Sequence, residues 1–253
     1  MKARARLVMV AVGAAGILLL LVSAIVRLPG FGNYPGPYGD MINSLAPYER
    51  QVSNLVTAIN FDYRALDTLG EEFMLFAAVS GLVLLLRGKK GESPNDPPAP
   101  PLDRKIAPIS DGIRWFSFGL VATINLFGIY LVLHGHLTPG GGFQGGAILG
   151  TASLLVYVAN GYRVYRKVTP KTAIEIVEAI GAGSYALIGI GAMLLGGAFL
   201  QNVLPLGQRG QLFSGGTITL INFVVGLEVA AGFALLFAEF LEETRADEPG
   251  DEE

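Results

Sequence analysis

The sequence predicts an all-α, polytopic membrane protein of six transmembrane helices, grouped two plus four, with a glycine-rich break between the third and fourth. Three observations predict it. Of the 253 residues, 51% are hydrophobic and only 15% charged, less charge than a water-soluble domain of that length needs on its surface. The apolar residues cluster into runs of the length a bilayer demands, roughly 20 helical residues for a core of about 30 Å. Lys and Arg gather in alternate connections between those runs, the asymmetry that orients membrane proteins.

The first run, 7–26, has no charge inside it. Lys2, Arg4 and Arg6 imitate the start of a signal peptide. The run is longer than a typical signal core, however, and no convincing small-x-small cleavage site follows, so it reads as a retained helix. Residues 27–64 read as an outer loop with a short surface helix near 48–59. The second run, 73–86, spans only if its helix begins near Leu66, and the fourth, 147–159, only if it draws on 141–146. The third run, 113–133, carries Arg114 at its start; the fifth and sixth, 173–200 and 217–241, are long enough but contain acids.

With six spans, both termini share a side. Placing them in the cytoplasm puts Lys2, Arg4, Arg6, Arg87, Lys89, Lys90, Arg104, Lys105, Arg114, Arg163, Arg166, Lys167, Lys171 and Arg245 inside, and only Arg27, Arg50, Arg64 and Arg209 outside. Residues 88–108, GKKGESPNDPPAPPLDRKIAP, form an extended, proline-stiffened cytoplasmic linker. The expected organisation is a two-helix module over 1–87, this linker, a four-helix domain over 109–241 and an acidic cytoplasmic tail over 242–253.

Without cysteine there is no disulfide, iron–sulfur cluster or thiolate metal site. His134 and His136 lack a third ligand, so neither metal nor haem is expected, and no catalytic set or cofactor motif appears. The Gly-x-Gly pairs lie in apolar spans, without the strand–turn–helix setting of a dinucleotide site.

Ionisable groups at membrane depth are expensive, and their default reading is functional. Asp67 and Glu71 are four residues apart on one face of the second helix, with Glu72 beside them. Such a pair can hold a hydrated Na⁺ or share a proton, yet Thr68-x-x-Glu71 is also a capping-box pattern, and both readings stay open. Glu228 stands alone in the middle of the sixth span, opposite a small-residue stripe of Gly226, Ala230, Ala234 and Ala238, and Glu239 returns to nearly the same azimuth. A proton or cation role is favoured for Glu228. Glu175 and Glu178 open the fifth helix, as dipole-complementing acids or as an ion entry. His134-Gly-His136-Leu-Thr-Pro139-Gly140-Gly141-Gly142-Phe143-Gln144-Gly145-Gly146 brings irregular backbone to membrane depth, where it is tolerated only when buried in protein or lining a polar cavity. Pro139 should end the third helix by about 134–137.

The stretch from Gly135 to Gly146 resembles the hallmark of the B-type small subunit of the multisubunit Na⁺/H⁺ antiporters, the Mrp or Mnh type, and the helices around it match that domain. Phe61-Asp62-Tyr63-Arg64-Ala65-Leu66-Asp67-Thr68-Leu69-Gly70-Glu71 is similar to a stretch near the C-terminal end of the A-type subunit of the same antiporters, with Ala65 where glycine is usual and Glu72 extra. Related ion-translocating hydrogenases carry that piece as a small separate protein. The resemblance implies membership of a large complex in a prokaryotic plasma membrane, beside large members that resemble the antiporter-like subunits of respiratory complex I. It implies Na⁺ or K⁺ exchange for H⁺ with this chain helping to form the pathway, and no nucleic-acid partner. A membrane subunit of an energy-converting oxidoreductase such as a membrane-bound hydrogenase is the alternative, and a pure assembly scaffold the third reading.

Overall fold

The structure is a computed structural model and describes residues 3–28, 30, 32, 36–87 and 110–245. The helices are α1 (Ala3–Val26), α2 (Pro37–Glu49), α3 (Leu55–Ala58), a π-helical turn (Ile59–Tyr63), α4 (Ala65–Arg87), α5 (Asp111–Leu133), α6 (Gly142–Val168), α7 (Lys171–Leu194) and α8 (Thr217–Arg245). No strand occurs among the described residues. Six of these helices, α1 and α4 to α8, are long and apolar enough to cross a membrane. The chain divides into two compact units, Met1–Ile42 and Asn43–Glu253. The first contains α1, whose span Val8–Val26 is the most hydrophobic of the six. The second contains the bundle α4 to α8.

Two boundaries differ from expectation. The surface helix expected near 48–59 is two pieces. Helix α2 starts at Pro37, which suits the first helical position, and stops at Glu49. Gln51 then takes φ 53°, and Asn54 restarts the chain as the cap of α3 by accepting from Val56 N at 3.1 Å. The fifth span ends at Leu194 rather than 200, because the chain turns through Gly196 at φ 85° and Leu200 at φ 61°. The linker 88–108 lies outside the described residues, as do 246–253 of the acidic tail.

Helix α8 is the axis of the second unit, with 61% of its span buried, the largest share of any. Its small-residue stripe packs against α6. A Cβ at Gly146 would fall 2.7 Å from Gly226 O, and one at Gly150 would fall 3.1 Å from Ala230 O. Only glycine permits that approach of two backbones. The other face of α8 meets α7 and α4, where a Cβ on Gly181 would fall 2.7 Å from Glu228 Cβ.

The glycine-rich segment is a tight, largely buried turn joining α5 to α6. Gly135, His136, Gly141, Gly142, Gly145 and Gly146 are buried, whereas Pro139, Phe143 and Gln144 are exposed. Gly140 and Gly141 hold φ of 134° and 154°. The Asn54 amide donates to Gly135 O at 2.7 Å, Thr138 O at 3.1 Å and Gly140 O at 3.3 Å. Thr57 donates to Gly135 O at 2.6 Å, and Ser53 N and Asn54 N both donate to His136 O at 3.0 Å. From α8, Asn222 accepts from Gly142 N at 2.7 Å and donates to Val132 O. One side chain thus bridges the end of α5 and the start of α6.

Replacing Asn222 with Ala leaves the buried Gly142 N–H unpaired and Val132 O with only the long bond from Gly135 N at 3.5 Å, so the thermal midpoint of the detergent-solubilised assembly should drop, by the equivalent of about 1–3 kcal/mol for the orphaned N–H. Gly142→Ala should also lower it, since the new methyl meets the Asn222 carbonyl oxygen. Gly183→Ala, where a Cβ meets nothing within 4 Å, should not.

Candidate functional site

Among the described residues four acids are almost fully buried: Glu72 on α4, Glu178 on α7, and Glu228 and Glu239 on α8, each 4% exposed or less. The helical rise of 1.5 Å per residue sets their depths. The bundle has a turn face, where α5 joins α6, and a linker face, where α4 ends and α5 begins. Glu72 lies about 10 Å below the turn face, counted from Ala65. Glu228 lies about 16 Å below it, counted from Thr217, at mid-depth. Glu178 lies about 10 Å above the linker face, counted from Lys171. Glu239 reaches the linker face, ion-paired with Lys171.

Glu228 and Glu178 lie on the facing sides of α8 and α7: a Cβ on Gly181 would fall 2.7 Å from Glu228 Cβ, and one on Gly232 would fall 3.6 Å from Glu178 Oε1. Both oxygens of Glu228, one of Glu72 and one of Glu178 are buried without a hydrogen-bond partner. Burying an unpaired charge costs far more than holding a proton or a cation there. The cluster is therefore an electrostatically costly arrangement inside the bundle. Tyr185 of α7 is fully buried beside it and donates to Ala65 O at 3.0 Å, tying α7 to the start of α4.

A cavity of about 260 Å³ opens near the turn face and leads to Glu72. Thr57, Asn60, Thr68, Glu71 and Gln144 line it, together with the backbone of Gly140 to Gly142. The glycine-rich turn thus walls a polar space that ends on a buried carboxylate.

The expected pairing of Asp67 with Glu71 is not what the fold buries. Asp67 is exposed and binds Arg64, its Oδ2 accepting from Nε at 2.6 Å. Glu71 is exposed and reaches the cavity. The residue turned inward is Glu72, because a step of one residue rotates the side chain by about 100° around the helix. Glu175 is half-buried and Glu178 buried. His136 is fully buried, with Nε2 3.5 Å from Gln211 O, and burial holds its imidazole below the usual value. His134 stacks on Tyr130 at 4.4 Å. Among the described residues, no three His, Asp or Glu side chains converge as a metal site would require.

Sequence reasoning missed Asn54, Thr57, Asn222 and the Lys171–Glu239 pair. Asn222 was detectable as the one amide in the apolar run 218–229. It also missed a clamp beside the turn face. There Arg50 binds Asp62 and lies over the Tyr63 ring at 5.1 Å, while Tyr63 donates to Glu49 at 2.9 Å. Burial raises the Asp62 carboxyl above its usual range against the opposing pull of Arg50, and burial with the Glu49 bond pushes Tyr63 up to about 12.

A helical bundle with carboxylates stepped through its depth and a polar cavity at one end defines a multi-pass membrane protein of the ion-transporting class. Residues 113–235 match the family model described as a domain related to the MnhB subunit of Na⁺/H⁺ antiporter. Over 113 residues the chain is 37% identical to the B-type subunit of the Na⁺/H⁺ antiporter of Bacillus subtilis, covering 42% of this chain and 75% of that one. The chain belongs to the MnhB family, the B-type subunits of Mrp/Mnh-type Na⁺/H⁺ antiporters. Among solved structures it resembles a chain of the membrane-bound sulfane sulfur reductase, an archaeal respiratory membrane complex. There the TM-score is 0.68 at 30% identity, over 93% of this chain and 98% of that one. A chain of the Mrp complex from Dietzia sp. DQ12-45-1b shares the fold at a TM-score of 0.69 and 24% identity, over 98% of this chain and 27% of that one.

Asp67 and Glu72 should respond differently to substitution. Asp67→Asn removes one exposed ion pair, worth about 0–1 kcal/mol, and should leave the thermal midpoint of the assembly nearly unchanged. Glu72→Lys forces a longer, cationic side chain into a nearly fully buried position and should shift that midpoint by clearly more than Asp67→Asn, in thermal melts of the assembled complex.

Proposed function

We propose that this chain is a small, non-catalytic subunit of a multisubunit Na⁺ or K⁺/H⁺ antiporter in a prokaryotic plasma membrane, and that it supplies part of the ion pathway. The row Glu72, Glu228, Glu178 carries this reading. A hydrated cation or a proton enters the cavity past Glu71 and the backbone of Gly140 to Gly142, and meets Glu72. Glu228 relays the charge at mid-depth, and Glu178 and Glu175 pass it to the linker face. Asp67 with Arg64 shapes the entrance. The glycine break from His136 to Gly146 keeps the entrance open beside a buried backbone. Lys171 holds Glu239 at the exit. In this reading residues 1–87 act as the module that resembles the C-terminal end of the A-type subunit, and 109–241 as the B-type domain. The cytoplasmic linker 88–108 joins them, and the acidic tail 242–253 lies in the cytoplasm. Partners are the other antiporter subunits, including the large complex I-like ones.

A second reading has one observation in its favour. The likeness to the respiratory sulfane sulfur reductase chain extends over nearly all of both chains. A redox-linked complex would use the same pathway to couple electron transfer to ion movement. Purification of the intact complex separates the two: redox subunits in the preparation favour the second.

In inside-out vesicles carrying the assembled complex, Glu228→Gln should abolish most cation-dependent proton exchange while the complex remains at normal abundance. Unchanged exchange and an unchanged pH profile would make Glu228 structural. Both termini are expected in the cytoplasm and the turn face outside, so reporter fusions after Arg64 and after Gln208 should report the outside; a cytoplasmic signal at either point inverts this topology.

A further inference from the structure

A second cavity has no part in the ion pathway. It is a groove of about 520 Å³ between α5, α6, α7 and the stripe face of α8, running from mid-depth to the linker face. Leu149, Val156, Ile174, Val177 and Leu227 give it hydrocarbon walls, and Ala231 and Ala234 form part of its floor. Three polar side chains, Asn125, Ser153 and Thr169, also line it. Each is already bonded to its own helix: Asn125 to Val121 O at 2.9 Å, Ser153 to Gly150 O at 2.7 Å and Thr169 to Tyr165 O at 2.6 Å. What the groove offers a ligand is therefore apolar surface.

The mouth has the opposite character. At the linker face, Arg166 and Lys167 sit exposed in the last turn of α6, directly before the groove-lining Val168, Thr169 and Pro170. Arg114, also exposed, stands at the same end of α5. Among the described side chains, the acids at this rim are Asp111, 3.8 Å from Arg114; Glu239, paired with Lys171; and the half-buried Glu175. Gly161, at φ 72°, breaks α6 before this basic turn. The buried Tyr165 holds the turn against α8 through Ala234 O at 3.4 Å. Exposed cations thus stand at the linker-face end of an apolar slot, the end that a six-span arrangement brings to the membrane surface.

We propose that the groove binds one acyl chain of an anionic phospholipid, with its phosphate held at the mouth by Arg166 and Lys167. A single acyl chain is narrow and flexible enough to follow an apolar slot of this size, and the exposed cations at its end match an anionic headgroup. Polybasic positions at a membrane surface attract anionic lipid electrostatically, which supplies the choice of headgroup.

The test uses the assembled complex in nanodiscs containing phosphatidylglycerol with a photoactivatable acyl chain, followed by mass spectrometry of the labelled peptides. Labelling should concentrate on the α6 and α8 peptides containing Ala152 and Ala231, above that at Leu126, which is 72% exposed on α5. Phosphatidylglycerol should compete for it better than phosphatidylcholine. Ala231→Trp should remove the groove labelling and spare Leu126. The exposed pair Arg166→Gln with Lys167→Gln, which disturbs no packing, should lower the preference for phosphatidylglycerol by about fivefold per charge. Groove labelling no stronger than at Leu126, equal competition by the two lipids, or a photoreactive residue at Ala152 that captures a helix of another protein in the complex would each overturn the proposal.

Discussion

The approach of α6 to α8 across Gly142, Gly146 and Gly150 governs the arrangement of the second unit. With no side chain in the gap, the α6 backbone seats directly on Gly226, Ala230 and Ala234. That contact fixes the rotation of α8 about its own axis. Once the stripe faces α6, Glu228 can point only toward α7 and α4. Gly181 completes the effect from the other side, by letting α7 close over Glu228. Packing between small residues is a main source of helix association in a bilayer, where apolar surface gains little by leaving lipid. Here the same packing orients an acid.

The turn between α5 and α6 satisfies a related constraint. Backbone groups at membrane depth have no water to bond, so each needs a partner within the protein. Asn54, Thr57 and Asn222 supply those partners from two different elements. Because most of the turn's carbonyls are occupied, its inward surface can wall the cavity above Glu72 without a large energetic penalty. The structural turn and the wall of the cavity are then one feature.

The buried acids conflict with folding taken alone. Glu72, Glu178 and Glu228 replace apolar contacts that would hold three helices together more firmly, and several of their oxygens lack partners. At the linker face the conflict is resolved locally, where Lys171 pairs with Glu239. At mid-depth no basic side chain among the described residues is paired with Glu228, and the bundle bears that cost in its own packing.

The sequence alone determined the spans, since helix length against bilayer thickness and the run of apolar residues are local properties. It determined that the fourth helix would draw on the glycine-rich residues 142–146, because the fourth run was too short without them. It also placed Glu228 opposite the small-residue stripe, which follows from the rotation of about 100° per residue. The tertiary structure decided which acid of the second span turned inward. Asp67, Glu71 and Glu72 all lie within the same two turns, and only the positions of α7 and α8 made Glu72 the buried one. It also buried Glu72, Glu178 and Glu228 in one bundle, from three helices far apart in the chain, and gave Asn222 its role. Hydropathy weighs each residue by its own transfer cost, and neither a partner's direction nor a distance between helices is contained in that sum.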